Sequence, residues 1–374
     1  MARHKAIDAA TKRDRWLIIA FGVLIIASLM VVGWQITVTG GLDPTMYTEI
    51  SATPRQPGTV SIAFAGDTMF GDGAADLIAA QGVEVTLSGV AGVFREADVA
   101  VVNMESPITS HTVTFFPGAQ LAYSSPPEAA DALAAIGVNV LQLGNNHAAD
   151  VGSVGLADTI EIAARAGMVT VGAGLNRTEA IRPVLIRTEE LTVALISFSK
   201  NYGAAKTAGD DSPGTVPFTA KALIQAERIA RNAGADRVIA LVHWGDNYQY
   251  EINDSQRRWA DELVAAGYDV VIGTGPHILQ PVEVIDGVPV VFSLGNFVFG
   301  AGGRFELFGK LGLGAVATVS FDADGGTLSL HCISTNNQIV DYVPRECNVS
   351  EAFFAQNELK GGLEWQGSIG TLHF

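Results

Sequence analysis

Five apolar runs in this chain each give way to residues that bind cations or move protons. Residues 60–65 are followed by Gly66-Asp67, and residues 99–102 by Asn103-Met104-Glu105. Residues 138–143 lead into Gly144-Asn145-Asn146-His147, with Asp150 three positions on. Residues 239–242 lead into His243-Trp244-Gly245, and residues 270–272 into Gly273-Thr274-Gly275-Pro276-His277. Carboxylate, amide and imidazole groups are ligand types for Mn²⁺, Fe²⁺, Zn²⁺ or Mg²⁺, and the glycines beside them let backbone and ligand approach closely. Taken singly, each residue has a plainer role. Asp67 can cap a helix, Glu105 can be a loop charge, and Asn145 and Asn146 can favour a turn. The conjunction argues for a site, because His147, His243 and His277 are three of only seven histidines and all fall at run ends.

These runs must be arranged so that their ends meet. Residues 60–65, 97–102, 138–143, 168–171, 192–197, 237–242 and 268–272 read as buried strands. Residues 74–80, 128–136, 156–166, 219–231 and 254–266 carry the spacing of amphipathic helices. Such alternation predicts an α/β layer structure with helices covering the sheets. Towards the C-terminus the pattern changes to hairpins: 280–285 with 288–293 around Asp286-Gly287, and 314–322 with 327–334 around Gly325-Gly326. A mixed sheet, or two stacked sheets flanked by helices, accommodates both halves. Ligands in open α/β sheets sit beyond the carboxyl ends of the strands, which is where the polar residues fall.

Gly66-Asp67-Thr68-Met69-Phe70-Gly71, Asn103-Met104-Glu105-Ser106-Pro107, Gly144-Asn145-Asn146-His147 with Asp150 and Gly152, His243-Trp244-Gly245, Pro276-His277 with Gln280, and Ser293-Leu294-Gly295-Asn296-Phe297 resemble the CapA/PgsA family in order and spacing. These are the poly-γ-glutamate capsule biosynthesis proteins, and the resemblance runs from about residue 60 to 299. It implies a calcineurin-like metallophosphoesterase fold of stacked mixed sheets. It also implies roles: Asp67 and His277 on a first metal, Glu105 bridging, and Asn146 and His243 on a second. His147 would face the leaving group or oxyanion, with Asp150 orienting it. Asn103, Trp244, Tyr248 and Asn296 are expected to line the substrate groove. The chain departs from the metallophosphoesterase pattern at Met69 and Gly275, where histidines are usual, and at Asn247, where many relatives carry a carboxylate. A second, weaker metal position is therefore in doubt. The implied role is capsule or poly-γ-glutamate synthesis or export through a hydrolase-type site. The alternative is a non-catalytic subunit that binds the polymer. Partners would be the anionic envelope polymer and membrane-bound subunits of capsule synthesis.

Composition bounds the remaining possibilities. The 374 residues are 48% hydrophobic and carry a net charge of −16, which argues against a nucleic-acid partner and against a disordered chain. Two cysteines exclude a disulfide scaffold or a cysteine-based zinc module, and leave open whether Cys332 and Cys347 pair. Arg3, Lys5, Lys12, Arg13 and Arg15 precede a stretch from Trp16 to Leu42 without charge. Trp16 and Trp34 would lie roughly 27 Å apart along a helix, suited to the two interfaces of a membrane. The run is longer than a signal-peptide core and ends in Trp34-Gln35-Ile36-Thr37, a poor cleavage site, so an uncleaved anchor is expected. The resulting organisation is a cytoplasmic tail (1–15), a transmembrane anchor (16–38), a linker (39–58), an extracytoplasmic domain (59–345) and a C-terminal tail (346–374). The portion outside the membrane is more acidic than the whole chain. An anionic polymer would therefore need a metal or a local basic patch to be held there.

Overall fold

The computed structural model describes residues 44–111, 123–200, 202–203, 205–323 and 325–374. The expected cytoplasmic tail and membrane anchor lie outside the described residues. Among the described residues, no helix is long and apolar enough to cross a membrane.

In chain order the strands are β1 (Thr48–Ser51), β2 (Val60–Met69), β3 (Val99–Met104), β4 (Val140–Gln142), β5 (Val169–Val171), β6 (Ala173–Gly174) and β7 (Val184–Arg187). They continue with β8 (Thr192–Ser199), β9 (Gly214–Thr215), β10 (Arg237–His243), β11 (Val270–Thr274), β12 (Leu279–Ile285), β13 (Val288–Leu294) and β14 (Asn296–Phe299). The last are β15 (Leu313–Phe321), β16 (Gly326–Ser334), β17 (Arg345–Glu346), β18 (Glu364–Gln366) and β19 (Ile369–His373). A seven-stranded sheet has the order β1-β7-β8-β10-β11-β13-β12. A ten-stranded sheet has the order β18-β19-β16-β15-β2-β3-β4-β5, with β14 beside β2 and β17 beside β16.

Alternation along β2 explains the stacking. Ile62 and Phe64 point into a core shared with Leu195, Ile239 and Leu241 of the other sheet. Ala63 and Ala65 face the opposite way, against Leu133 and Leu156 of helices α1 (Glu128–Ala135) and α2 (Gly152–Arg165). The seven-stranded sheet is covered by α3 (Ala220–Asn232) and α4 (Asp254–Ala265). Thr219 caps α3 by accepting from the Ala222 amide, and Asn253 with Gln256 forms a capping box on α4. Both expected hairpins are present, as β12–β13 and β15–β16.

Two expected boundaries are corrected. Residues 346–374 are not a loose tail. They form helix α5 (Val349–Leu359) and the strands β18 and β19, and β19 pairs with β16. Ala355 and Leu359 lie in the inter-sheet core, so this segment buries apolar surface that would otherwise face water. Part of the expected linker likewise joins the fold, because β1 pairs in parallel with β7.

Candidate metal centre

The site is built where the two sheets meet at the carboxyl ends of their central strands. β13 runs into β14 through Gly295 and thereby crosses from one sheet to the other. That crossing brings the Gly295 carbonyl so close to β2 that a Cβ on Gly66 would lie 1.9 Å from it, which demands glycine there. The next residue, Asp67, donates its amide to the same carbonyl (3.0 Å). A register shift between Ala65 and Asp67 then sets Asp67 opposite Asn103 of β3. Glu105 follows β3, its amide held by the Thr68 carbonyl (2.8 Å). From the other sheet, β10 ends in His243, registered with Thr274 of β11, and the turn beyond β11 presents His277.

Asp67 and Glu105 are 0% and 1% exposed. Asp67 Oδ1 accepts from Asn103 Nδ2 (2.7 Å) and lies 3.7 Å from His243 Nδ1. Its Oδ2 accepts from the Gly275 amide (3.2 Å) and lies 3.1 Å from His277 Nδ1. Glu105 Oε1 is 3.6 Å from His243 Nε2 and 4.0 Å from His147 Nε2. Glu105 Oε2 lies 3.8 Å from His277 Nδ1 and has no hydrogen-bond partner. One ligand atom each from Asp67, Glu105 and His243 falls within 4.8 Å of the others. His147 Nδ1 contacts Asp150 Oδ2 (2.5 Å), which also accepts from the Tyr123 amide (3.1 Å), while Asp150 Oδ1 accepts from Lys206 Nζ (2.9 Å).

Burial pushes the Glu105 carboxyl well above its usual range, and the charges of Asp67 and Asp150 push it further. Burial would raise Asp67 too, but His277, His243 and Asn103 together hold it below the ordinary aspartate value. His243 falls to about 4, chiefly by desolvation, which the attraction of Asp67 only partly opposes. A buried carboxylate oxygen without a partner, beside a second carboxylate and the desolvated His243 imidazole, is a donor set that fits a divalent cation. The donor types do not select among Mn²⁺, Fe²⁺, Zn²⁺ and Mg²⁺.

The expected residues divide by where they lie. Asp67, Glu105, His147, His243 and His277 converge, and Asp150 backs His147. Asn146 Oδ1 is buried without a partner, whereas its neighbour Asn145 ties the loop down by donating to Asn103 Oδ1 (3.0 Å) and the Met104 carbonyl (2.9 Å). Asn103 and Asn296, expected along a groove, are instead buried inside the cluster, where they hold Asp67 and His277. Trp244 is no groove residue: it is 1% exposed, stacks on Phe292 and donates its indole N–H to the Phe292 carbonyl (2.8 Å). Tyr248 stands beside His277, ring centroids 5.4 Å apart. Sequence reasoning gave Asn145 only a turn role, and missed Tyr123 and Lys206. Asn145 lies within the recognised motif, but Tyr123 and Lys206 sit in loops whose composition carries no signal.

A layered α/β domain with an acid–histidine cluster at its strand ends is what the fold and site define. The chain belongs to the bacterial capsule synthesis protein PGA_cap family, whose profile matches residues 61–301. It is similar to the PGA biosynthesis protein CapA of Bacillus subtilis (strain 168), 31% identical over 244 residues, which are 65% of this chain and 64% of that protein. It is also similar to the capsule biosynthesis protein CapA of Bacillus anthracis, 26% identical over 297 residues (78% and 71%). A third relative is a probable polyglutamine synthesis accessory protein of Mycobacterium tuberculosis, 29% identical over 249 residues (63% and 65%). Among solved structures, looser likenesses are to a putative 5′-nucleotidase of Staphylococcus aureus (TM-score 0.45, 13% identity, 80% of this chain and 58% of that one) and to Haemophilus influenzae NAD nucleotidase (0.41, 12%, 83% and 57%).

Proposed function

We propose that this chain is a membrane-anchored, extracytoplasmic participant in capsule or poly-γ-glutamate synthesis or export. Its domain is of the calcineurin-like metallophosphoesterase type, with a divalent cation held by Asp67, Glu105, His243 and His277. The observation that carries this reading is the unpartnered, buried Oε2 of Glu105 beside a second carboxylate and His243, an oxygen that a divalent cation would satisfy. A bound divalent ion supplies Lewis acidity and a water of lowered pKa. The side chains do the rest. Asp67 is fixed by Asn103 and the Gly275 amide, and His277 is oriented by Asn296. His147, at 16% the most open side chain of the set, is the one that can meet a leaving oxygen, with Asp150 holding its Nδ1. A disulfide joins Cys332 to Cys347 and supports placement of the domain in an oxidising compartment.

Metal content tests the reading. The purified parent should carry stoichiometric divalent metal, and Glu105→Gln and His277→Ala should each lose it together with turnover of a generic phosphodiester. A parent without metal would overturn the proposal. A second reading, a polymer-binding subunit without catalysis, is favoured by one observation: the two replacements of a usual histidine, Met69 and Gly275, are built into the fold. Met69 packs with Tyr123 and Phe299, and a Cβ on Gly275 would meet the Trp244 carbonyl oxygen at 2.4 Å. Polymer binding by the metal-loaded protein, with no hydrolysis of any substrate, would select that reading.

A further inference from the structure

An unbroken arc of rings borders the cluster. Ring centroids are 4.6 Å apart from His147 to Tyr123, 5.9 Å from Tyr123 to Phe299, 4.9 Å from Phe299 to His277, 5.4 Å from His277 to Tyr248 and 4.4 Å from Tyr248 to Phe308. The arc therefore starts at the most open histidine of the cluster and ends at Phe308, which is 46% exposed. Neither tyrosine hydroxyl has a hydrogen-bond partner among the described residues. Arg304 opens the short helix Arg304–Leu307, whose Phe305 packs edge-on to Tyr248 (5.9 Å). Its positive charge reaches both phenols, opposing the rise that burial causes in each, which for Tyr123 ends at about 12. Among the described residues the Arg304 guanidinium has no ion-pair or hydrogen-bond partner, in contrast to those of Arg187, Arg231, Arg257 and Arg345, which each face a carboxylate.

We propose that Arg304, Tyr123 and Tyr248 form the subsite that receives an oxyanion of the substrate, a carboxylate or a phosphate, beside the cluster. A planar guanidinium with its donors free matches either group two-pronged, and an aromatic wall accepts the apolar part of the same residue. This supplies the local positive charge that a chain of net charge −16 otherwise withholds from an anionic polymer. The assignment rests on the reading of the cluster as a metal centre only in that both would serve one substrate.

The test is binding, measured by titration calorimetry on the full-length protein, with a γ-linked glutamate oligomer and with inorganic phosphate as probes. Metal content is determined in the same samples. Arg304→Gln should weaken binding roughly 10- to 100-fold, as expected for a lost charge-assisted pair, and Arg304→Lys should restore part of it. Metal content should be unchanged in both. Phosphate that competes with the oligomer through Arg304 marks a phosphoryl group as the natural oxyanion. Arg304-dependent oligomer binding untouched by phosphate marks a carboxylate. Binding of both probes by Arg304→Gln as tightly as by the parent, or by neither protein, would overturn the subsite. Arg304-dependent binding in a parent that holds no metal would keep the subsite and remove the metal centre.

Discussion

Glu351 and Glu105 are glutamates of one domain in opposite circumstances. Glu351, at the start of α5, accepts from both terminal nitrogens of Arg345 (2.8 and 3.0 Å), from the Asn348 amide (2.8 Å) and from Ser334 Oγ (3.1 Å). The Cys332–Cys347 disulfide closes beside it. Burial would raise its carboxyl, but Arg345, Asn348 and Ser334 hold it below the ordinary glutamate range. Glu105 is more deeply buried, meets a second carboxylate, and keeps one oxygen without a partner. The C-terminal clasp thus resolves its charge within the chain, as a stabilising element does. The strand-end cluster leaves charge unresolved, as a binding site does, and the rest of the fold must carry that cost.

The largest expected effect lies in the site's backbone. Gly275 sits at φ +112°, its amide bound to Asp67, with no room for a side chain against the Trp244 carbonyl. Gly275→Ala should cost about 3 kcal/mol or more, read by denaturant unfolding. Gly275→His should not restore a second metal ion, and a variant that gained one would break the contrast between clasp and cluster. On the clasp side, replacing both cysteines opens a loop whose ends are 15 residues apart and should cost about 2–3 kcal/mol. Metal content should not change, because the clasp and the cluster share no side chain.

Smaller effects follow at the two glutamates, and their signs differ. In metal-free protein Glu105→Gln should stabilise by about 1–2 kcal/mol, since it removes a buried carboxyl whose charged form is disfavoured by burial and by Asp67. The same variant should lose metal affinity. Glu351→Gln should destabilise by about 1 kcal/mol, a modest value because Arg345 is partly exposed. The pH dependence runs oppositely for the two. The depressed carboxyl of Glu351 stabilises the fold above the ordinary glutamate range, and that stability is lost as pH falls through its folded value. The raised carboxyl of Glu105 penalises the metal-free fold at neutral pH, and the penalty is relieved as pH falls through its folded value. Unfolding midpoints of parent and variants at neutral pH and near pH 4 would separate the two. Equal slopes would show that Glu105 is paired in solution.

Much of the fold and of the cluster is legible in the order of the amino acids. The apolar runs that form β2, β3, β8, β10 and β11 are short, continuous and bounded by polar residues, which is the pattern of strands covered on both faces. The ends of β2, β3, β10 and β11 hold Asp67, Glu105, His243 and, one turn on, His277. Less is legible where a segment's partner is remote. β1 and β7 are four residues each and pair with one another across the chain. The segment after residue 345 carries no strong pattern until Ala355 and Leu359 meet the inter-sheet core. Trp244 has the amphipathic character of a groove residue, and only the position of the Phe292 carbonyl makes it a packing residue.

Residue type and local spacing determined by themselves which central segments are strands, which of their ends are polar, and which ligand chemistry those ends can supply. Those properties follow from continuous apolar runs bounded by polar residues and from the donor atoms of single side chains. The tertiary structure alone decided that Asn103 serves Asp67 rather than a substrate, that Cys332 meets Cys347, and that rings from distant segments join into one arc beside Arg304. Each depends on how two sheets stack and where β13 crosses between them through Gly295. That crossing is set by the packing of backbone against backbone over long sequence separations, which no local pattern encodes.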